Sequence, residues 1–232
     1  MSITPKKAIL QINTALREAT AGIGVNGELM ELLTNSSQFE HAAFLHPAIE
    51  ALCSKMNMAL SELSAVAVMN GPGSYTGLRV SLAAAKGICF ALNIPLICIN
   101  TLDWIAYGNR DAEADLVCPM IDARRMEVFT AVYDKNLEYI SKPAPLILEE
   151  SSFSALLESN KIAFMGDGAT KWAEQCPHAN ALFPESCQDA SHFNTLSFKA
   201  FETGNFANLI TAEPFYLKGF HSTQPTAKKT NS

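Results

Sequence analysis

The sequence has little of what marks nucleic-acid-binding and metal-binding proteins. It carries 17 lysines and arginines against 23 aspartates and glutamates, a formal net charge of −6. Because affinity for nucleic acid depends on a basic face that neutralises phosphates, this balance excludes strong autonomous binding to RNA or DNA. The six cysteines include no C-x-x-C pair, and most stand in apolar runs. They are predicted to be reduced core residues, without a zinc site.

Long apolar runs are absent as well. The most apolar segment surrounds Cys89, and Lys86, Asn93 and Pro95 interrupt it, so no membrane span is predicted. The first residues include two lysines but lead directly into a strand pattern, which is not how a secretory signal is built. We expect a cytoplasmic protein that does not contact membranes.

Common catalytic motifs are missing too. No Gly-Lys-Ser or Gly-Lys-Thr follows a glycine-rich loop, and no G-x-S-x-G elbow supports a triad of Ser74, a histidine and Asp122. His41 and His46 stand about 140° apart around a helix, so they do not converge as metal ligands and are predicted to be surface or interface residues. We therefore predict no catalytic residues and no metal ligands.

The most informative stretch runs over residues 65–99. An apolar run at 65–69 predicts a strand, and Asn70-Gly71-Pro72-Gly73-Ser74 ends it. A helical pattern over 77–92 stops at Asn93-Ile94-Pro95, and a second apolar run follows at 96–99. This order predicts a parallel crossover, with a functional loop at the carboxyl end of its first strand.

The helix within that crossover is apolar on two sides. One stripe of its residues lies at helical spacing, and a second stripe consists of small residues. The first comprises Leu78, Leu82, Ala85, Cys89 and Leu92, and the second comprises Val80, Ala84, Gly87 and Ala91. Because a sheet covers only one side of a helix, either the rest of this chain or another chain must cover the second stripe.

The remaining pattern predicts an α/β fold of two lobes. A strand at 8–13, a hairpin around Asn26-Gly27 and a helix at 38–57, capped by Ser36 or Ser37, precede the crossover. The predicted order is three strands, a helix, a strand, a helix and a strand. This is the layout of one half of an actin-like or sugar-kinase-like ATPase. We predict an N-terminal lobe at 1–100 that carries the dimerisation helices, a C-terminal lobe at 101–220 and a disordered tail at 221–232. The second lobe has predicted strands at 116–121, 127–134 and 162–165, an edge or loop at 142–145, and helices at 102–109, 151–160, 169–176 and 191–203.

Several segments resemble one family. They are the nonapeptide 71–79 (GPGSYTGLR), the first strand and turn at 9–15, IDARRMEV at 121–128 and AEPFYL at 212–217. Together they resemble the TsaB family, once called YeaZ, whose bacterial members serve the threonylcarbamoyladenosine modification of tRNA. The similarity covers nearly the whole chain except the tail.

The resemblance implies a non-catalytic scaffold or activator that pairs with TsaD, a paralogue carrying the active site, through helices of the N-terminal lobes. The TsaE ATPase joins the pair, and tRNA binds only through the complex. In the absence of the paralogue, the same apolar helices are expected to drive a homodimer, because exposing them costs solubility. The complex transfers a threonylcarbamoyl group to the adenosine next to the anticodon. Thr101 and Ile105 stand where the paralogue has metal-binding histidines, and Asn13 stands where ATPases of this fold commonly have an aspartate.

Two sets of candidate site residues follow. The loop could contact a phosphate through Gly71, Gly73, Ser74, Thr76 and Gly77, or it could be a plain turn capped by Ser74 or Thr76. No tightly bound cofactor is expected, and ATP or ADP would bind with low affinity or at the partner interface. The predicted interface comprises Phe39, Ala42, His46, Ile49, Cys53, Arg79, Val80, Ala84, Gly87 and Ala91.

Competing interpretations remain at this point. A weak ATP-binding phosphotransferase or ATPase of the actin-like superfamily is the main alternative, and Asn13 argues against it. A zinc or iron peptidase lacks its ligands. Asp122, Arg124 and Glu127, at a strand junction, are predicted to form a structural ion-pair turn in preference to a catalytic group.

Overall fold

The computed structural model describes residues 6–37 and 40–218. Over these residues the chain forms two five-stranded mixed sheets. Phe39 and the predicted tail at 221–232 lie outside the described residues.

The first sheet is built from the N-terminal part of the chain. Its strands are β1 (Ala8–Asn13), β2 (Ala19–Val25), β3 (Glu28–Asn35), β4 (Ala65–Gly71) and β5 (Leu96–Asn100), in the spatial order β3-β2-β1-β4-β5. The first three strands pair antiparallel, whereas β4 and β5 extend the sheet in parallel. Asn26 and Gly27 both have positive φ, as a two-residue hairpin turn requires, so the predicted hairpin is confirmed.

Two helices cover one face of this sheet. They are α1 (His41–Lys55) and α2 (Tyr75–Leu92), and they pack on a core that includes Leu10, Leu52 and Val68. The predicted cap of α1 was wrong, since the helix begins after Glu40 and no side chain among the described residues caps it. Ser37 belongs to the preceding turn instead, where its N–H binds Asn35 Oδ1 and its carbonyl accepts from the N–H of Glu40.

The second sheet repeats the strand topology of the first, with three successive antiparallel strands extended by two parallel ones. It contains β6 (Leu116–Asp122), β7 (Glu127–Tyr133), β8 (Tyr139–Ile147), β9 (Ile162–Met165) and β10 (Ala181–Leu182), in the order β10-β9-β6-β7-β8. Strand β8 is an edge strand of this sheet, in agreement with the prediction for 142–145. The helices are α3 (Thr101–Gly108), α4 (Ser154–Leu157), α5 (Ala169–Ala173) and α6 (Ala190–Glu202).

The helix predicted at 151–160 is mostly absent. Only α4 is helical there, because Phe153 before it takes a left-handed conformation. That conformation places the Phe153 ring against Phe164 and Trp172, with centroids 5.1 and 5.9 Å away. Packing in the second core therefore overrides the helical pattern of this segment.

The chain returns to the first sheet after the second. Helix α6 packs against the first sheet and against α3, within a core that also holds Val117 and Tyr133 of the second sheet. A buried amide pair fixes α6, since Gln11 Nε2 donates to Asn194 Oδ1 at 2.5 Å and Asn194 Nδ2 donates to the Gly27 carbonyl. The two lobes therefore share a continuous central core. No helix in the described ranges is long and apolar enough to cross a membrane.

Candidate functional site

The glycine-rich loop joins β4 to α2. The side chain of Ser74 accepts a hydrogen bond from the Gly77 N–H at 3.3 Å, so of the two predicted caps it is Ser74 that caps α2. The Ser74 N–H is itself bound to the Ala15 carbonyl at 2.7 Å. The N–H groups of Ser74 and Gly77 are therefore already engaged in hydrogen bonds within the chain.

Two glycines of this loop touch the backbone of the β1–β2 turn. A Cβ at Gly73 would lie 2.3 Å from the Ala15 carbonyl oxygen, and one at Gly77 would lie 1.9 Å from that of Thr14. No side chain fits at such distances. Close backbone packing is thus sufficient to explain these glycines, and contact with a phosphate stays a prediction.

An open cleft of about 1090 Å³ separates the lobes beside this loop. Its first-lobe wall includes Arg17, Ser74 and Thr76, and its second-lobe wall includes Asp122 and Arg124. A smaller cavity of about 490 Å³ shares Arg17 and Asp167 with it and reaches Asn13. Asn13 is 4% exposed, and its Oδ1 accepts the Ala15 N–H at 3.0 Å. The neutral amide of Asn13 therefore holds the turn.

The second-lobe wall is organised around Lys171. Its ammonium donates to Asp122 Oδ1 at 2.7 Å and to the carbonyls of Arg125 and Glu127 at 2.8 and 2.6 Å. This arrangement makes the β6–β7 junction an ion-pair turn.

Asp122 and Asp167 share this wall, and the Asp122 N–H donates to Asp167 Oδ1 at 2.8 Å. Burial acts to raise the pKa of Asp122, but the Lys171 hydrogen bond and the Arg124 N–H outweigh it and hold that pKa below its usual value. Burial raises the pKa of Asp167, and the Asp122 charge adds to the effect. The pKa of Asp122 is therefore lowered and that of Asp167 is raised, although the two carboxyls are neighbours.

The positions that the resemblance aligns with metal ligands are filled with core side chains. Thr101 and Ile105 are both 0% exposed, and Ile105 belongs to the central core. Within residues 6–37 and 40–218, no group of three or more His, Cys, Asp or Glu side chains could hold a metal ion.

The predicted interface residues fall into three groups. Those exposed on α1 and α2 are Ala42, His46, Arg79, Gly87 and Ala91, and those half-buried are Cys53, Val80 and Ala84. Ile49 is only 5% exposed, because its side chain points into the core beneath α1. It contributes to an outer surface only at the floor of a groove.

That groove, of about 730 Å³, lies between α1, α2 and the short 3₁₀ helix Leu60–Glu62. Its apolar lining includes Cys53, Met58 and Ile88. Gly87 lies on the exposed side of α2, where a Cβ would meet no atom within 4 Å. Of the small-residue stripe of α2, Gly87 and Ala91 are therefore exposed in the described chain, whereas Val80 and Ala84 are half-buried against the core.

Sequence reasoning missed two strongly exposed apolar side chains near this surface. Phe90 is 81% exposed on α2, and Ile210 is 88% exposed in the segment after α6. Phe90 stands one turn after Lys86, whose ammonium donates to the Ile210 carbonyl at 3.1 Å. The sequence could have indicated that Phe90 is exposed, because Phe90 lies on the helix surface between the two apolar stripes from which the interface was predicted.

Arg79 has a partner within the chain. Its Nε donates to the Tyr216 hydroxyl at 2.9 Å, and its guanidinium lies 4.2 Å from the centre of the Tyr75 ring. The rings of Tyr75 and Tyr216 are themselves 5.3 Å apart. Arg79 therefore connects α2 to the C-terminal segment at the mouth of the cleft.

Two lobes of mixed sheet with flanking helices and a cleft between them define the actin-like, sugar-kinase-like ATPase fold. Residues 35–194 match the family described as TsaD, tRNA N6-adenosine threonylcarbamoyltransferase, and the chain belongs to this family. The match covers the cleft's second-lobe wall and both helices α1 and α2.

Individual relatives carry related names. The TsaB protein of Bacillus subtilis is 34% identical over 140 residues, which are 59% of each chain, and TsaB of Escherichia coli is 25% identical over 90% of this chain and 94% of its own. Both are called tRNA threonylcarbamoyladenosine biosynthesis proteins. The match with the B. subtilis relative thus spans less than two thirds of that protein. YeaZ from Pseudomonas aeruginosa superimposes with a TM-score of 0.72 at 24% identity, over 91% of this chain and all of that one, which supports the fold.

Proposed function

We propose that this chain is a non-catalytic scaffold or activator that pairs with TsaD in tRNA threonylcarbamoyladenosine biosynthesis. The names of the two TsaB relatives and the family match support the pathway. In this proposal TsaD carries the active site, TsaE joins the pair, and tRNA binds only to the assembled complex. Without TsaD, the chain forms a homodimer through the surface that otherwise binds TsaD.

One observation carries the proposal, which is the uncovered outer face of α2. We use that name for Ala83, Gly87, Phe90 and Ala91, which are all exposed. Small residues allow a partner helix to approach closely, and an exposed aromatic beside them supplies a large apolar contact. An apolar face with this composition is typical of a protein interface.

The positions aligned with the paralogue's metal ligands support the non-catalytic part. A hydroxyl and an aliphatic side chain are poor ligands for a transition metal, and both Thr101 and Ile105 are fully buried. We expect purified protein to hold no stoichiometric iron or zinc and to cleave no glycoprotein. Elemental analysis that found one tightly held transition metal per chain would contradict this.

Gly87→Arg tests the docking surface. The new side chain points into open space within the chain, so the variant should fold normally and yet lose both TsaD binding and the homodimer. Co-purification with TsaD and light scattering on the isolated chain measure the two associations. Threonylcarbamoyladenosine content in tRNA from cells that depend on the variant measures function.

Thr195→Arg is the matched control. Thr195 is also exposed in the middle of a helix, but α6 packs in the central core, away from the core under α1 and α2. This variant should keep TsaD binding and tRNA modification. Normal pairing by Gly87→Arg would place the interface elsewhere.

A weak ATP-binding phosphotransferase or ATPase is the second candidate. The observation that favours it is the cleft at the N-terminus of α2, where Ser74 and Thr76 face the open space. We propose that ATP or ADP binds there with low affinity, or only when TsaD is present. Calorimetric titration with magnesium and ATP, with and without TsaD, measures this. Sustained ATP turnover by the isolated chain would favour the enzyme over the scaffold.

A further inference from the structure

The segment after α6 crosses from the first lobe to the second beside the cleft. We call residues 207–218 the strap. Its first residue, Ala207, bridges Leu96 of β5, with its N–H 2.8 Å from the Leu96 carbonyl. Further on, Lys86 of α2 donates to the carbonyls of Ile210 and Ala212 at 3.1 and 3.0 Å. The strap therefore begins on the first lobe and follows α2.

The end of the strap spans the two lobes within three residues. Tyr216 is bound on the first lobe by the Arg79 Nε and by the Tyr75 ring. Lys218 forms an ion pair with Glu127 of β7 on the second lobe. Both strap side chains line the cleft. The strap thus connects the two walls of the cleft at its mouth.

The attachment of this end is local and weak. Residues 213–216 have no regular secondary structure, and the N–H of Phe215 donates to the Asn70 carbonyl at 2.8 Å. Phe215 and Tyr216 are 38% and 39% exposed. Few hydrogen bonds hold this segment, so we expect it to open more easily than the sheets beneath it.

Arg79 also adjoins the outer face of α2. Arg79 and Ala83 stand four residues apart, which places them on the same side of the helix. A partner that covered Ala83 and Gly87 would therefore lie beside the guanidinium that holds Tyr216.

We propose that the strap is a latch that sets the opening of the inter-lobe cleft, and that Arg79 makes it respond to a partner docked on α2. The latch itself is a property of the isolated chain, whereas its response to a partner rests on the proposed function. Partner docking would thereby control access to the cleft without contact between partner and cleft.

Hydrogen exchange followed by mass spectrometry on the full chain tests the latch. Tyr216→Phe removes the hydroxyl and keeps the ring, and Glu127→Gln removes the charge that pairs with Lys218. Each should speed exchange about threefold to tenfold at 213–218, the range expected for one lost hydrogen bond. Exchange should also rise in the turns 14–17 and 122–126 on the two walls of the cleft, with β1 and β6 unchanged.

Tyr139→Phe is the matched control, because it removes a phenol hydroxyl that is bound to Asp103 at 2.7 Å, away from the strap. It should leave strap and cleft turns at wild-type rates. If the strap variants accelerate 213–218 but leave both cleft turns unchanged, the strap is a surface segment and not a latch, and the proposal is overturned.

Adding TsaD to the wild-type chain tests the coupling. Docking is read from protection of α2, and coupling is read from changed exchange at 213–218 and in the two cleft turns. Protection of α2 without change at the strap or cleft refutes the coupling and leaves the proposed function intact. Absence of any protection on α2 refutes the proposed function, whereas the latch is judged on the isolated variants.

Discussion

The hydroxyl of Thr14 donates a 2.7 Å hydrogen bond to the carbonyl of Gly77, which joins the β1–β2 turn to the first turn of α2. The contact places the two backbones so close that a Cβ at Gly77 would lie 1.9 Å from the Thr14 oxygen. The same helix contains Gly87, around which a Cβ would meet nothing within 4 Å. Two glycines in one helix therefore have opposite roles, one in the core and one on the surface.

Alanine at each glycine should separate these roles. Gly77→Ala should destabilise the chain by roughly 2–3 kcal/mol or more, because backbone must move to admit the methyl group. Gly87→Ala should stabilise it by about 0.5–1 kcal/mol, the helix propensity difference, and should weaken association with TsaD. Urea unfolding of both variants measures the stabilities. Equal stability changes would mean that the contact at Thr14 does not constrain the loop.

Phe90→Ala should affect association far more than folding. The side chain is 81% exposed, so its removal should change the free energy of unfolding by about 0.5 kcal/mol or less. An aromatic anchor at an interface is worth about 2 kcal/mol, so affinity for TsaD should fall roughly 30-fold. Surface plasmon resonance measures this affinity. Ile147→Ala, at a side chain 63% exposed on β8, is the control and should bind as wild type does.

Asp122→Asn should destabilise the chain slightly at neutral pH. The pKa of Asp122 is lowered in the folded state, so the ionised form contributes stability above the unfolded pKa of about 3.9, and this is lost as pH falls through the folded value. The side chain is 48% exposed, which limits the effect to about 0.5 kcal/mol or less after screening. Thermal unfolding at pH 7 and at successively lower pH should show the difference shrink as the pH falls below about 3.9.

Asp167→Asn should act with the opposite sign. Burial raises the pKa of Asp167, so its ionised form costs stability at neutral pH, and that cost disappears once the carboxyl is protonated. Asparagine keeps an oxygen for the Asp122 N–H. The melting temperature should rise at pH 7, with no gain at pH 3. A loss of stability at pH 7 would show that Asp167 serves another group by its charge.

Asn194→Leu should weaken the attachment of α6 to the first lobe. The substitution leaves the amide of Gln11 and the carbonyl of Gly27 without their partner, at about 1–3 kcal/mol for each buried group. Hydrogen exchange should increase in α6 before it increases in β9. Gln11→Met, which removes the donor to Asn194 but keeps the Asn194 bond to Gly27, should cost less. Equal losses would mean that the bond to Gly27 contributes nothing.

Local patterns predicted much of the first lobe. The Asn26-Gly27 turn specified its hairpin, because few residues adopt positive φ at two successive positions. Apolar spacing identified the core stripe of α2, and Leu78, Leu82, Ala85 and Cys89 are all buried. Apolar spacing wrongly predicted a helix over the whole of 151–160. Such spacing shows which residues are apolar, but it does not show that Phe153 packs into an aromatic cluster with Phe164 and Trp172.

Contacts between distant segments were decided by tertiary structure alone. The sequence by itself determined that α2 has two apolar stripes, but the fold decided that Ile49 turns inward and that Phe90 and Ile210 stay exposed. Arg79 and Tyr216 are 137 residues apart, and Gln11 and Asn194 are 183 apart. No window of local sequence contains both members of such a pair. Periodicity shows which side of an element is apolar, whereas only the packing of the lobes shows which surface covers it.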